Sequence, residues 1–319
     1  MRMYDFIGDV HGHASHLEAL LRKMGYRMKS GSYRHPSRKA VLLGDLIDRG
    51  PQQVETVKIV RSMVDAGDAL IVLGNHEYNA CAYMIPDPHN PGEFLRPHTE
   101  SNYRQHRTFL DQVGEGSRLH LEMLEWFKGI PLFLNEPGFR AVHACWHQEM
   151  IKTLEPFLNA QNALRSDCWV PASRKGTELY DAVETVLKGL EVTLPAGVSY
   201  LDADGNARTK TRTKWWLEDA ETYHQALMVP KSIQDTIPHD PLPEFARLKY
   251  DRAAPLFCGH YWMSGRPTLL NKHMACLDYS IGKGDSRGSL CAYRWEGEKT
   301  LLEENLVSVG WDLEHNLGM

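Results

Sequence analysis

Two observations predict an α/β fold. Short apolar runs alternate with amphipathic stretches between Met3 and Asn75, and each run ends in a glycine followed by a polar residue. Met3 to Ile7 is the first strand, closed by Gly8-Asp9. A helix follows, with Leu17, Leu20, Leu21 and Met24 on one face. Ala40 to Leu43 is the second strand, closed by Gly44-Asp45, and Gln53 to Ala66 is the second helix, presenting Val57, Val60 and Val64. Ala69 to Leu73 is the third strand, closed by Gly74-Asn75. Strands connected through helices imply parallel pairing with right-handed crossovers. In such sheets the ligand crevice lies beyond the carboxyl ends of the strands, so three polar loops are expected to converge.

Ile130 to His143 predicts a hairpin about the turn Asn135-Glu136-Pro137-Gly138. Pro255 to Cys258 predicts another strand, ending in Gly259-His260. Met274 to Tyr279, Ser289 to Trp295 and Leu301 to Val307 predict a second, antiparallel sheet. Helical stretches are expected at 148–165, 177–190 and 214–227, followed by a proline-rich tract at 230–243. The expected organisation is a core of 1–146 and 255–319, with a mainly helical insertion at 147–254 capping the site.

Composition narrows the function classes. The 319 residues are 42% hydrophobic and 24% charged, as in a globular protein. A formal charge of −5 offers no general attraction to nucleic acid, so any anion site is local and extended nucleic-acid binding is not expected. The six cysteines form no C-x-x-C pair, which suggests neither a thiolate zinc site nor a disulfide framework. The N-terminus MRMYDFIGDVHG has no signal-like apolar region, and no apolar run approaches the roughly 18 residues of a membrane span. A cytoplasmic location is the resulting expectation.

Singly, Asp9-Val10-His11, Gly44-Asp45 and Gly74-Asn75 read as ordinary turns or caps. Together they make GDVHG, GDLIDRGP and GNHE, each at a predicted strand end. These motifs, with AVHAC around His143 and FCGHY around His260, resemble the calcineurin-like metallophosphoesterases, specifically their phosphoprotein phosphatase branch. The closing CLDYSIG and GSLCAYR are similar to the bacterial members, which include symmetrical dinucleoside tetraphosphatases. The resemblance covers about residues 3–146 and 255–296 and leaves the insertion unexplained. It implies an αββα sandwich, two mixed sheets flanked by helices, and a pair of divalent ions.

By that resemblance Asp9 and His11 hold one ion, Asn75, His143 and His260 the other, and Asp45 bridges them. Such ions lie about 3.5–4 Å apart and clamp an in-line displacement by metal-bound hydroxide. Donors of nitrogen and oxygen without thiolate suit manganese first, and also iron or zinc. His76 is implied as general acid, Asp48 as the group that orients it, and Arg49 as a bidentate phosphate clamp. Glu77 receives no role. His13 and His16 read as surface residues, His147 falls out of register with His143, and Cys145 reads as a small buried residue.

Arg208, Lys210, Arg212 and Lys214 alternate with Thr209, Thr211 and Thr213, so on a strand the charges share one face. The ribbon either grips an anionic substrate or is a solubilising edge. Arg212 and Lys214 are the candidate substrate contacts, Arg212 by analogy with an arginine that the family places between its late histidines. Asp202-Ala203-Asp204-Gly205-Asn206 is the expected hairpin turn and does not fit a calcium loop. The expected activity is hydrolysis of phosphate monoesters on serine, threonine or tyrosine of a protein, with a dinucleoside polyphosphate as the alternative. Trp215, Trp216 and Tyr223 either stack on a base or belong to the core. A binding protein on a spent enzyme scaffold is disfavoured, because every ligand and the acid pair are present.

Overall fold

The computed structural model describes residues 3–201 and 207–311. Strand Met3–Ile7 pairs in parallel with Arg38–Leu42, which pairs in parallel with Ala69–Ile71. Helices Ala14–Lys23 and Gln53–Asp65 make the crossovers, burying Leu17, Leu20 and Leu21 from one and Val57, Val60 and Met63 from the other. The hairpin forms as expected, Phe133–Glu136 antiparallel to Phe139–Val142. Phe139–Val142 and Leu256–Cys258 run parallel, and Met274–Cys276 extends this second sheet.

The two sheets face each other. Phe6 of the first stacks on Phe257 of the second, centroids 3.6 Å apart, and meets Phe139 edge-on at 4.9 Å. A second, larger apolar cluster joins the outer faces to the helices, giving the expected αββα layering.

The closing strands depart from expectation. They form no antiparallel sheet of their own: Ser289–Trp295 joins the first sheet, with Met3–Ile7 and then Asp278–Tyr279 along one edge and Leu306–Gly310 along the other. Its side chains explain the placement. Leu290 and Ala292 enter the helix-side cluster while Cys291, Tyr293 and Trp295 enter the inter-sheet one, so both faces need covering. The run from Met274 to Tyr279 breaks at Leu277, where the chain passes from one sheet to the other.

Among the described residues, contacts cross the boundary at residue 147. Helices Gln148–Leu154 and Glu178–Lys188 pack on each other, and Val186 accepts a backbone bond from Ala144 at 3.0 Å. The helix expected at 214–227 is reduced to Tyr223–Ala226. Its helix-like pattern comes from Trp215 and Trp216, which are buried against Tyr261, the Trp215 indole donating to the Tyr261 hydroxyl at 2.7 Å. The basic stretch is a strand: Lys210–Arg212 pairs with Glu191–Thr193, and Tyr200–Leu201 with Ala207–Arg208. Thr211 and Thr213 point inward, buried, while Arg208 and Lys210 are exposed. The turn expected at 202–206 lies outside the described residues. Among the described residues, no helix is long and apolar enough to cross a membrane.

Candidate metal centre

The strand-end loops do converge. Gly74 and Gly259 show why these positions are glycine: a Cβ on Gly74 would lie 2.1 Å from the Asp45 nitrogen, and one on Gly259 would lie 2.0 Å from Asp9 Oδ1. Backbone strain gathers at the same place. Ten described non-glycine residues have positive φ, and six of them are His11, Asp45, Asp48, Arg49, His260 and Trp262. Such conformations cost about 1–3 kcal/mol each and persist where surrounding contacts enforce them.

Glu77 supplies that enforcement at Asp45. Its carboxylate is fully buried and accepts four backbone N–H groups, from Asp45 at 2.9 Å, Leu46 at 2.8 Å, Ile47 at 3.2 Å and Gly74 at 3.2 Å. It ties the GDLID and GNHE loops together, a scaffolding role that the sequence left unassigned.

Asp45 stands at the centre. Its Oδ2 faces His143 Nε2 at 3.4 Å, His11 Nε2 at 3.7 Å and His76 Nε2 at 3.8 Å. Burial opposes its charge, but His143, His76 and His11 outweigh burial and hold its carboxyl well below the usual range. His11 and His143 are each fixed through the other ring nitrogen, Nδ1, which donates to the carbonyls of Ile47 at 2.9 Å and Leu43 at 2.6 Å. That turns both Nε2 atoms toward Asp45, the arrangement that orients metal-ligating imidazoles. The Nε2 atoms of His11 and His260 are buried and bond to no protein group. Burial and His76 pull His11 down to about 4, and burial and Arg212 hold His260 well below its ordinary value, so both rings are neutral donors.

Two overlapping groups have ligand atoms within 4.8 Å of one another: His11, Asp45 and His76, and Asp45, His143 and His260. Asn75 joins the second through Oδ1, 3.1 Å from His143 Nε2. Asp9 lies outside both groups but adjoins them, its carboxylate receiving the His260 backbone N–H at 3.1 Å. Burial, Asp278 and Asp45 push the Asp9 carboxyl well up, an electrostatic deficit that a divalent cation would offset. The unbonded buried nitrogens and the deficit of positive charge fit a metal pair.

His76 differs from the other imidazoles about Asp45. Its Nδ1 contacts Asp48 Oδ2 at 2.5 Å, and Asp48 Oδ1 meets His106 Nδ1 at 2.8 Å. Burial lowers His76, yet Asp45 and Asp48 more than offset it and raise the ring above its ordinary value. Burial works against Asp48's charge as well, but His106 and His76 hold that carboxyl well below its usual range. Arg49 is exposed and lies over the Trp262 ring, 5.4 Å from its centroid.

A cleft of about 570 Å³ opens beside His260 and Trp262, with Arg208, Lys210 and Arg212 along its wall. Lys214 is not among its lining residues, and Trp215 and Trp216 belong to the core. His13 and His16, expected at the surface, are buried, 3% and 5% exposed, because Trp311 covers them. His106 and Trp262 escaped the sequence reading. His106 carries no motif, whereas Trp262 stands two residues after His260 and was within reach.

A model of calcineurin-like phosphoesterases matches residues 4–194. The asymmetrical bis(5'-nucleosyl)-tetraphosphatase of Halalkalibacterium halodurans is 46% identical over 83 residues, 26% of this chain and 34% of that protein. The same enzyme from a Geobacillus species is 48% identical over 23% of this chain and 30% of its own length. The match therefore spans about a third of the length of these relatives. The crystal structure of a cold-active protein-tyrosine phosphatase of a psychrophilic Shewanella superposes with a TM-score of 0.52 at 17% identity, covering 98% of this chain and 79% of that one. That likeness is one of fold.

Proposed function

Since this chain belongs to the calcineurin-like phosphoesterases, we propose that it is a metal-dependent hydrolase acting on a phosphorus bound between Asp45, His76 and Arg49. The observation that carries the reading is the ring of three imidazole Nε2 atoms about Asp45 Oδ2, one of which, on His11, is buried without a hydrogen-bond partner, as is the neighbouring Nε2 of His260. Asp9 and His11 would hold one divalent ion, Asn75, His143 and His260 the other, with Asp45 shared. Manganese is our first choice, and iron or zinc suit the same donors. Bound there, the ions would supply positive charge for phosphate and acidify a water.

The chain's own residues do the rest. His76 shares space with the ligands, but its Nδ1 is committed to Asp48, so its Nε2 is poised to protonate the leaving oxygen. Arg49, at the mouth, has the fork geometry to clamp two phosphate oxygens. Arg212 contributes positive charge beside His260, whose ionisation it opposes.

The cleft bears on the substrate. A phosphorylated side chain presents one dianionic group, whereas a polyphosphate continues as a row of charges. The wall formed by Arg208, Lys210 and Arg212 within 147–254 suits the second, which supports that segment as a cap over the site. The activity named for the relatives, on bis(5'-nucleosyl) tetraphosphates, agrees with this wall. We therefore place a nucleoside polyphosphate ahead of a phosphoprotein, reversing the order that the sequence suggested.

Product formation by manganese-loaded protein from diadenosine tetraphosphate and from a phosphopeptide, side by side, tests both levels. Faster turnover of the dinucleotide is expected, and faster release from the peptide would restore the phosphoprotein reading. Turnover that survives exhaustive chelation would sink the metal mechanism itself.

A further inference from the structure

His106 lies 58 residues from Asp48 in sequence, on the helix Glu100–Val113, and outside every motif of the site. It is 4% exposed, its Nδ1 is 2.8 Å from Asp48 Oδ1, and its Nε2 bonds to no protein group. Among the described residues, Nδ1 is therefore the one ring nitrogen with a hydrogen-bond partner, and that partner is the carboxylate that holds His76. Asp48 cannot be held by its own backbone alone. It has φ 66°, and its N–H goes to Gln53 Oε1 at 2.6 Å, which fixes the main chain and leaves the carboxylate torsion free. That terminal torsion is intrinsically soft. With one imidazole on each oxygen, both the carboxylate plane and the His76 ring are set.

The helix that carries His106 is itself fastened to the same loop. Gln112 accepts the Gln53 backbone N–H at 2.8 Å and donates to the Pro51 carbonyl at 2.8 Å. Phe109 packs beside the His106 ring at 5.1 Å, and Tyr83 meets it edge-on at 5.5 Å. The imidazole thus has a fixed position from which to aim its N–H.

We propose that His106 is a positioning residue for His76, acting through Asp48: it holds the second carboxylate oxygen so that the His76 Nε2 stays aimed at the leaving group. This inference rests on the reading of His76 as the acid. Asn replaces the donor most closely, because its side-chain amide can occupy the place of Nδ1–H, whereas Ala leaves Asp48 Oδ1 without a partner.

The test compares wild type, His106→Ala and His106→Asn, each loaded with manganese, on phenyl phosphate and on dinitrophenyl phosphate. The phenolate of the first needs a proton to leave, and the leaving group of the second does not. We expect His106→Ala to lose about 10- to 100-fold in kcat on phenyl phosphate with KM and metal content unchanged. The loss should largely vanish on dinitrophenyl phosphate, and His106→Asn should recover most of it. Equal losses on both esters, no loss on either, or an Asn variant as poor as Ala would overturn the proposal.

Proton NMR of the zinc-loaded protein gives a readout that needs no turnover. The hydrogen-bonded Nδ1–H signal of His76 should broaden or shift in His106→Ala and stay in place in His106→Asn. A His76 signal unmoved in His106→Ala would overturn the positioning role even if neither ester were cleaved. Wild-type protein inert on both esters, with the NMR shift present, would instead count against the phosphoesterase reading.

Discussion

His11 and His13 are two residues apart and equally buried, yet their surroundings are opposite. His11 donates Nδ1–H to the Ile47 carbonyl and turns Nε2 to Asp45. His13 packs edge-on against His16, centroids 5.5 Å apart, and both rings meet Trp311 at 5.3 and 4.9 Å. No carboxylate comes within salt-bridge distance of either among the described residues. Burial lowers His11 and His13 alike, both to about 4, so neutrality does not separate them. What separates them is the partner of the second nitrogen and the acid opposite the first. A histidine fixed at one nitrogen by a backbone carbonyl and facing Asp45 with the other has the arrangement of a metal donor, whereas two rings under a tryptophan have that of core.

That contrast sharpens most where the expected effect is largest. His76→Asn keeps every proposed metal donor and removes the acid, so turnover should fall about 10²–10⁴-fold while bound metal, measured by atomic emission, stays constant. A parallel loss of metal would make His76 a ligand instead. The next effect is structural. Glu77→Gln must turn its NH₂ toward backbone N–H groups, and we expect about 1–3 kcal/mol of lost stability together with weaker metal retention. Denaturant unfolding with and without metal measures both, and an unchanged midpoint would remove Glu77 from the scaffold.

The smallest effect belongs to the other cluster. His16→Leu should leave turnover within about twofold and stability at pH 7 within about 1 kcal/mol. Its signature is the pH dependence. Burial holds His16 below its ordinary 6.5, so the unfolded chain takes up a proton more readily than the folded one. The stability is thus present above pH 6.5 and is lost as pH falls below it. The metal-free leucine variant should lose less stability than wild type on acidification through that window. Parallel curves would mean that His16 is not held neutral.

The fold was legible where one rule governed the residues. Alternating strands and helices placed Met3–Ile7, Arg38–Leu42 and Ala69–Ile71, because each strand is buried on both faces and punctuated by glycine. Ser289–Trp295 was recognised as a strand but assigned to the wrong sheet, since alternation tells which faces are buried and not which neighbour buries them. The site residues with motifs were found, and those defined by tertiary approach were not. Helix Glu100–Val113 shows ordinary amphipathic spacing, and nothing in it marks His106 as a partner of Asp48. Glu77 was visible within GNHE, but three of its four backbone bonds exist only once two loops have met. His13 and His16 were misplaced because Trp311, far along the chain, provides the cover.

The proposed donors do not come from one sheet. Asp9, Asp45 and Asn75 follow strands of the first, while His143 and His260 follow strands of the second. A divalent ion gripped from both sides is thermodynamically linked to the docking of the sheets. Its binding free energy adds to the cohesion of the Phe6–Phe257 interface, and any loosening of that interface weakens its grip. The catalytic centre is on this view also a clasp, and metal starvation would lower the protein's resistance to unfolding along with its turnover.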